Sequence, residues 1–246
     1  KRMMEYHLDK DYTMRVAEHL GNPKKEKIYK SYPIEEISEM SFTNPNCVLL
    51  IKDLNSKLQR PALGIPDTKF VLLDDRAKMI TKAPIRVIDL SLLELHNSHT
   101  FWDIGACTGS VSIEARRQYP HLHIQAFEVR EECKNIIRAN ARLHSAPGID
   151  LRIGNFLNLS IEENTIVDAV FIGGHGGKLK EIVCKVASHL DSLHGKIVFN
   201  SVSEESSKLF REAVEENGLK LRSEMNITVD SHNPITILCA TGKHHV

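Results

Sequence analysis

Ten residues, Phe-Trp-Asp-Ile-Gly-Ala-Cys-Thr-Gly-Ser at 101–110, carry the pattern in this chain that could do chemistry. An apolar run at 100–102 leads into Asp103. A small-residue loop follows (Gly105, Ala106, Cys107, Thr108, Gly109), and then residues 111–119, which read as a helix. Strand, tight turn and helix in that order aim helix N-terminal amides at a ligand's anionic group. Small residues let the backbone come close to that ligand. A dinucleotide fingerprint needs glycine at the first, third and sixth positions of Gly-x-Gly-x-x-Gly. Here those positions hold Gly105, Cys107 and Ser110, so the fingerprint fails twice. Glu128 lies 23 positions after Gly105 at the end of the next strand, where a carboxylate can accept both hydrogen bonds of a ribose diol. Gly154-Asn155-Phe156 follows a third strand, where such folds contact adenine. Asn155 could bond the exocyclic amine or merely shape a turn, and Phe156 could cover the ring or fill the core.

Asp103, Gly105, Gly109 and Glu128 satisfy a second form. This is the Asp-x-Gly-x-Gly-x-Gly loop of seven-strand S-adenosylmethionine-dependent methyltransferases, with an acidic residue ending the following strand. Only Cys107 departs from it, so the methyltransferase reading is preferred. Phe171-Ile172-Gly173-Gly174-His175-Gly176-Gly177 follows the fourth strand and leaves a floor poor in side chains where the transferred methyl should lie. Methyltransferases acting on planar amines carry Asn/Asp-Pro-Pro-aromatic at this point. Its absence argues against base-amine methylation, and a broad floor suits a large, flat acceptor. His175 is open to three readings: catalytic base, carboxylate partner or bystander.

These residues need a sheet to position them. The spacing predicts strands at 100–104, 123–127, 149–153, 167–172 and 196–199, with helices at 111–118, 131–143, 179–190 and 204–217 between and after them. Strands at 220–229 and 234–241, joined through 230–233, close the chain. Such alternation with a terminal hairpin implies an α/β fold: a mostly parallel, Rossmann-like seven-strand sheet with helices on both faces and one antiparallel strand near its edge. Upstream, Thr81 is expected to cap a helix with Pro84 in its first turn, and Ile85, Ile88, Leu92 and Leu95 form one apolar stripe. Residues 11–20 read as a short helix ended by Gly21-Asn22-Pro23, residues 33–40 as another, and residues 47–51 as a strand without an obvious partner.

Lys+Arg and Asp+Glu both total 32, so no global basic field draws in nucleic acid. No apolar run approaches membrane length, and no membrane association is expected. Five scattered cysteines without a Cys-x-x-Cys pair argue for reduced thiols and a cytoplasmic protein. Thirteen histidines form no His-x-x-x-His or mixed Cys/His cluster, so no metal is expected; His244-His245 is too short to act alone. Ser112 and Ser201 lack the context of a hydrolase nucleophile.

With these pieces in place the chain resembles the precorrin-6Y C5,15-methyltransferase family of cobalamin biosynthesis, in particular its C-terminal, decarboxylating half. The matching segments are Gly64-Ile65-Pro66-Asp67 with Phe70, Met79-Ile80-Thr81-Lys82, Trp102 to Glu114, the 171–177 floor, Asn200, and Asn233-Pro234-Ile235. The resemblance implies an S-adenosylmethionine-dependent enzyme that methylates carbon 15 of a precorrin macrocycle and removes carbon dioxide from its ring C acetate. By position it implies cofactor contacts at Thr81, Gly105, Ala106, Cys107, Thr108, Gly109, Glu128 and Phe156; Asp103, Asn155 and Gly173 are further cofactor candidates, and His175, Lys178 and Asn200 the catalytic candidates. Acidic arms of the macrocycle would want cations at the rim, for which Lys82, Arg86, Lys178 and Lys180 are candidates. Residues 1–52 resemble the end of a tetrapyrrole-methylase half whose own active-site segments would lie upstream of Lys1. Residues 53–60 then form a linker and 61–246 the methyltransferase domain. The resemblance allows a homo-oligomer. Two other readings compete: a tRNA methyltransferase of the same fold, disfavoured by the zero net charge, and a non-catalytic partner domain, should Cys107 abolish cofactor binding.

Overall fold

The computed structural model describes residues 1–53, 63–75, 79–230 and 234–242. Residues 54–60 of the expected 53–60 linker, Asn233 and His244-His245 lie outside the described residues. The chain divides into two compact units, one of Lys1–Ala62 with Arg142–Pro147, the other of Leu63–Ala141 with Gly148–Val246.

The smaller unit holds α1 (Arg2–Glu5), β1 (Tyr12–Glu18), β2 (Lys27–Ile28), β3 (Tyr32–Pro33), α2 (Ile34–Ser38) and β4 (Pro45–Lys52). The helix expected at 11–20 is instead β1, the strand on which the other three pair. Its sequence alternates with period two, which suits a pleated strand. The 47–51 strand supplies the missing partner, pairing antiparallel from Tyr12↔Lys52 to Ala17↔Cys47. Inter-strand hydrogen bonds with β4 outweigh the local cap and stop signals that suggested a helix.

The larger unit begins with α3 (Ala83–Leu93). Its N-cap is Lys82, one residue beyond Thr81, and the Lys82 side chain makes no capping bond; Asp67 Oδ1 instead accepts from Ala83 N at 3.0 Å, and Pro84 stands in the first turn as expected. Next come β5 (Thr100–Ile104), α4 (Ser110–Gln118), β6 (His123–Glu128), α5 (Cys133–Leu143), β7 (Ile149–Ile153), β8 (Ala169–Ile172), α6 (Leu179–Ala187), β9 (Lys196–Ser201), α7 (Glu204–Glu216), β10 (Lys220–Ile227) and β11 (Ile235–Thr241). The seven strands run in the order β10-β11-β9-β8-β5-β6-β7. β11 is antiparallel to both neighbours, and the pairs from β9 to β7 are parallel. Chain order therefore reverses between β5 and β8, which neighbour each other although two strands, β6 and β7, lie between them in the chain. In open α/β sheets ligands bind at the carboxyl ends of the strands at such a switch point.

Two apolar clusters hold the sheet between its helices. One face packs Trp102, Phe127, Val170, Ile172 and Phe199 against Val183, Val186, Phe210 and Val214 of α6 and α7. The other packs Phe101, Ile124, Phe171 and Val198 against Ile85, Leu90 and Leu93 of α3 and Val111 and Ala115 of α4. Within the first cluster Trp102 meets Phe127 and Phe156 edge-on at 5.7 and 5.9 Å. Paired backbone and two buried faces make the strand ends a rigid platform for loops.

Candidate active site

Gly105 leaves β5 at φ +78°, and Gly174 leaves β8 directly opposite. A Cβ on Gly105 would lie 2.6 Å from Gly174 N and 2.9 Å from its Cα. Two backbones can approach this closely only because residue 105 lacks a side chain; a Cβ on Gly174 would meet Gly105 Cα at an ordinary 3.9 Å. Gly173 N also donates to Ile104 O at 2.9 Å, which ties the two loops together. The sequence's two glycine-rich motifs are therefore two sides of one junction, at the switch point of the sheet.

Around this junction opens a cavity of about 780 Å³, within the range of small-molecule sites. Of the residues singled out from sequence, Thr81, Asp103, Gly105, Ala106, Cys107, Thr108, Glu128, Asn155, Phe156, Gly173, His175, Lys178 and Asn200 line it. Gly109 serves the turn: it is the N-cap of α4 at φ +74°, and a Cβ there would come 3.0 Å from Ile137.

The acidic groups of the loop are already partly committed. Glu128 is buried, and its Oε2 accepts from Cys107 N at 2.8 Å while Oε1 accepts from Arg130 N at 2.9 Å. Oε1 also accepts from Arg130 Nη1 at 3.4 Å, so Oε2 alone retains a free lone pair, and a second ligand hydroxyl would take the place of that long, partly exposed arginine contact. Asp103 Oδ2 accepts from Ser112 N at 3.1 Å and Ser112 Oγ at 2.5 Å, which fastens the start of α4 to the end of β5. Asp103 Oδ1 and Thr108 Oγ1 are buried with no partner among the described residues. Burial pushes the Asp103 carboxyl up to about 6, against the two Ser112 bonds. Cys107 adopts a left-handed φ of +48° that favours glycine. Burial above all, then the Cys133 thiol and the Glu128 carboxylate, pushes its own thiol up to about 12, so it stays protonated. Asn140 Nδ2 donates to Thr108 O at 2.9 Å and holds the loop from behind.

At the loop after β7, Asn155 Oδ1 accepts from Leu157 N at 3.0 Å and so shapes a turn. Phe156 is buried and meets Phe127 edge-on at 5.0 Å, which makes it part of the core as well as of the cavity wall. Lys185, not singled out from sequence, clamps this loop: its Nζ donates to Phe156 O, Leu157 O and Leu159 O at 2.9, 3.2 and 2.7 Å.

At the loop after β8, His175 Nδ1 accepts from Gly177 N at 3.2 Å, and the ring meets Phe199 edge-on at 5.8 Å. Burial lowers its pKa, so near neutral pH the imidazole is uncharged with its proton on Nε2. Two of the expected rim cations are not at the rim's disposal. Arg86 is fully buried; its Nε donates to Glu114 Oε1 at 3.0 Å and its Nη1 to Asp67 Oδ1 at 2.8 Å, with Thr81 O and Ile65 O as further acceptors. Gly64 N and Ile65 N complete the Glu114 carboxylate at 3.0 and 2.8 Å. The Gly64-Ile65-Pro66-Asp67 segment is thus bound into the fold by a buried ion pair. Lys180 is held by Glu212 and Glu216 at 2.8 and 2.7 Å. Lys82, paired with Asp67 at 3.4 Å, and Lys178, paired with exposed Glu181 at 3.2 Å, do line the cavity.

Sequence reasoning missed Asp89. It is fully buried on α3 and accepts from Asn200 Nδ2 at 2.7 Å. Its signal was present: Asp89 follows Ile85 by four and precedes Leu92 by three, which places a carboxyl on the apolar stripe of the helix.

Among the described residues no helix is long and apolar enough to cross a membrane, and no His/Cys/Asp/Glu group could hold a metal. The chain is similar to the cobalt-precorrin-6B C(15)-methyltransferase (decarboxylating) of Salmonella typhimurium, 35% identical over 127 residues, which covers 52% of this chain and 64% of that protein. It is also similar to the precorrin-6Y C(5,15)-methyltransferase [decarboxylating] of Mycobacterium tuberculosis strain CDC 1551. There the identity is 27% over 162 residues, covering 64% of this chain and 40% of the relative. The chain thus spans well under the full length of these relatives. A solved structure, precorrin-6y C5,15-methyltransferase from Geobacter metallireducens GS-15, superposes with a TM-score of 0.66 at 33% identity, covering 75% of this chain and 100% of that one. The family model for the precorrin methyltransferase domain matches residues 74–239, more than half of the sequence, and the chain belongs to that family.

Proposed function

We propose that this protein binds S-adenosylmethionine in the cavity at the β5–β8 junction and methylates carbon 15 of a precorrin macrocycle, with loss of carbon dioxide from the ring C acetate. The observation that carries the reading is the Gly105–Gly174 junction, which leaves an open floor beside a loop closed by Glu128. The polar groups fit the cofactor: Glu128 Oε2 has a lone pair left for a ribose hydroxyl, Oε1 can take a second in place of the long Arg130 Nη1 contact, and the unpartnered Asp103 Oδ1 is an acceptor suited to an ammonium. When bound, S-adenosylmethionine supplies an electrophilic sulfonium methyl. The chain's own part is positioning, because an electron-rich macrocycle carbon needs alignment more than acid–base help. The glycines at 173–177 admit a flat ring. Neutral His175 offers an Nε2–H donor, and Lys82 and Lys178 supply positive charge for acidic arms. Residues 1–52 are read as the closing part of a tetrapyrrole-methylase half.

Titration calorimetry with S-adenosylmethionine and its demethylated product tests the cofactor assignment. Glu128→Ala is expected to weaken binding by ~1–3 kcal/mol, since buried hydroxyls lose their acceptor. Unchanged affinity would remove Glu128 from the site, and no binding by the wild type would overturn the reading.

A further inference from the structure

Where Asn200 lines the cavity, the wall is backed by buried Asp89, and the pair has a proton to place. Asp89 Oδ2 accepts from Asn200 Nδ2 at 2.7 Å, joining α3 to β9 across 111 residues. Asp89 Oδ1 and Asn200 Oδ1 are both buried and have no partner among the described residues. Two orphaned acceptors on side chains already joined by one hydrogen bond are costly as they stand. A proton on Asp89 Oδ1 would relieve both, letting the acid donate to the amide oxygen while it accepts from the amide nitrogen. Burial keeps such a proton in place: it pushes the Asp89 carboxyl up to about 8, against the smaller opposing effects of the Asn200 bond and the Arg86 charge.

Asn200 also lines the cavity. Its oxygen is shut away and one N–H is committed to Asp89, so the amide has one N–H left to offer. We propose that Asp89 is a positioning residue that fixes Asn200 so that this N–H receives the macrocycle carboxylate destined to leave, an assignment that rests on the decarboxylating reading above. In that step the bond between the acetate methylene and the carboxyl carbon breaks. Its electron pair passes into the conjugated ring, carbon dioxide departs, and the methylene takes a proton from water to become a methyl group. A carboxylate gripped by a cation is held in its charged ground state, whereas one oriented by a neutral donor can shed its charge. Arg86 is bound to Asp67 and Glu114, Lys180 to Glu212 and Glu216, and His175 is uncharged near neutral pH, which leaves Lys82 and Lys178, each beside a carboxylate, as the cations that line the cavity and serve the arms that stay.

The test follows carbon dioxide release at saturating macrocycle and S-adenosylmethionine, with cofactor affinity measured by calorimetry on the same samples. Asp89→Ala is expected to slow release by about tenfold or more in kcat, with cofactor affinity within about twofold of wild type. Asp89→Asn, whose amide both donates and accepts, is expected to recover release to within about threefold of wild type. If Asp89→Ala fails to bind cofactor and so fails as a folded protein, Asn200→Ala takes its place with the same expected loss. Release within about twofold of wild type in Asp89→Ala or Asn200→Ala overturns the assignment, as does Asp89→Asn being as slow as Asp89→Ala. Wild-type protein that methylates the macrocycle without releasing carbon dioxide would instead overturn the decarboxylating reading itself.

Discussion

Replacing Asp89 with asparagine removes a group that folding forces to keep its proton. In the unfolded chain the carboxyl releases that proton at its ordinary value of 3.8, whereas burial in the fold raises the value to about 8. Well below 3.8 both states are protonated and the group has no pH-dependent effect. As pH rises between the two values the unfolded state gains by ionising and the folded state does not. Wild-type stability therefore falls by ~1.4 kcal/mol per pH unit, levelling off above about pH 8. Asparagine has no proton to lose, so the unfolding free energy of Asp89→Asn should gain on wild type by ~3 kcal/mol between about pH 5 and 7. Asp103, also raised by burial, adds its own slope to both proteins and cancels in the difference. Urea unfolding at several pH values and fixed ionic strength measures the gap directly. A gap that stays constant, or that widens on acidification, would show Asp89 ionised in the folded protein and refute the reasoning.

Arg86→Met should destabilise the protein by ~3–5 kcal/mol in denaturant unfolding, because it leaves the buried Glu114 carboxylate without its charge partner. A cost typical of a surface ion pair would mean the network is solvated. Cys107→Gly relieves a left-handed backbone at a cost in unfolded-chain entropy of similar size, so stability should change by less than ~1 kcal/mol and cofactor affinity should hold or improve. A large loss of affinity would reveal a contact made by the sulfur. Gly105→Ala should abolish cofactor binding in calorimetry, because its Cβ would meet the Gly174 backbone, which no rotamer change can relieve. Retained binding would show that the two loops can part.

The large sheet was legible because its strands are apolar, short and punctuated, and each strand–helix pair is a local event. β1 was not, since its strand character depends on β4 about thirty residues downstream, while Gly21-Asn22-Pro23 mimics a helix stop. The loop from Asp103 to Gly109 could be read because small residues at fixed spacing record a backbone constraint. What each glycine avoids could not be: the clash partner of Gly105 is Gly174, and only the sheet order brings them together. Arg86 illustrates the opposite failure. A cation looks the same in sequence at a substrate rim or in a buried pair, and Asp67 and Glu114, 19 and 28 residues away, decide which it is.

The central claim is a methyl transfer coupled to decarboxylation, and product mass measures it most directly. With S-adenosylmethionine carrying a labelled methyl and the precorrin as acceptor, the account predicts a product that has gained one labelled methyl and lost one carbon dioxide. A product with two labelled methyls, one that keeps every carboxyl, or an unmodified macrocycle would contradict it.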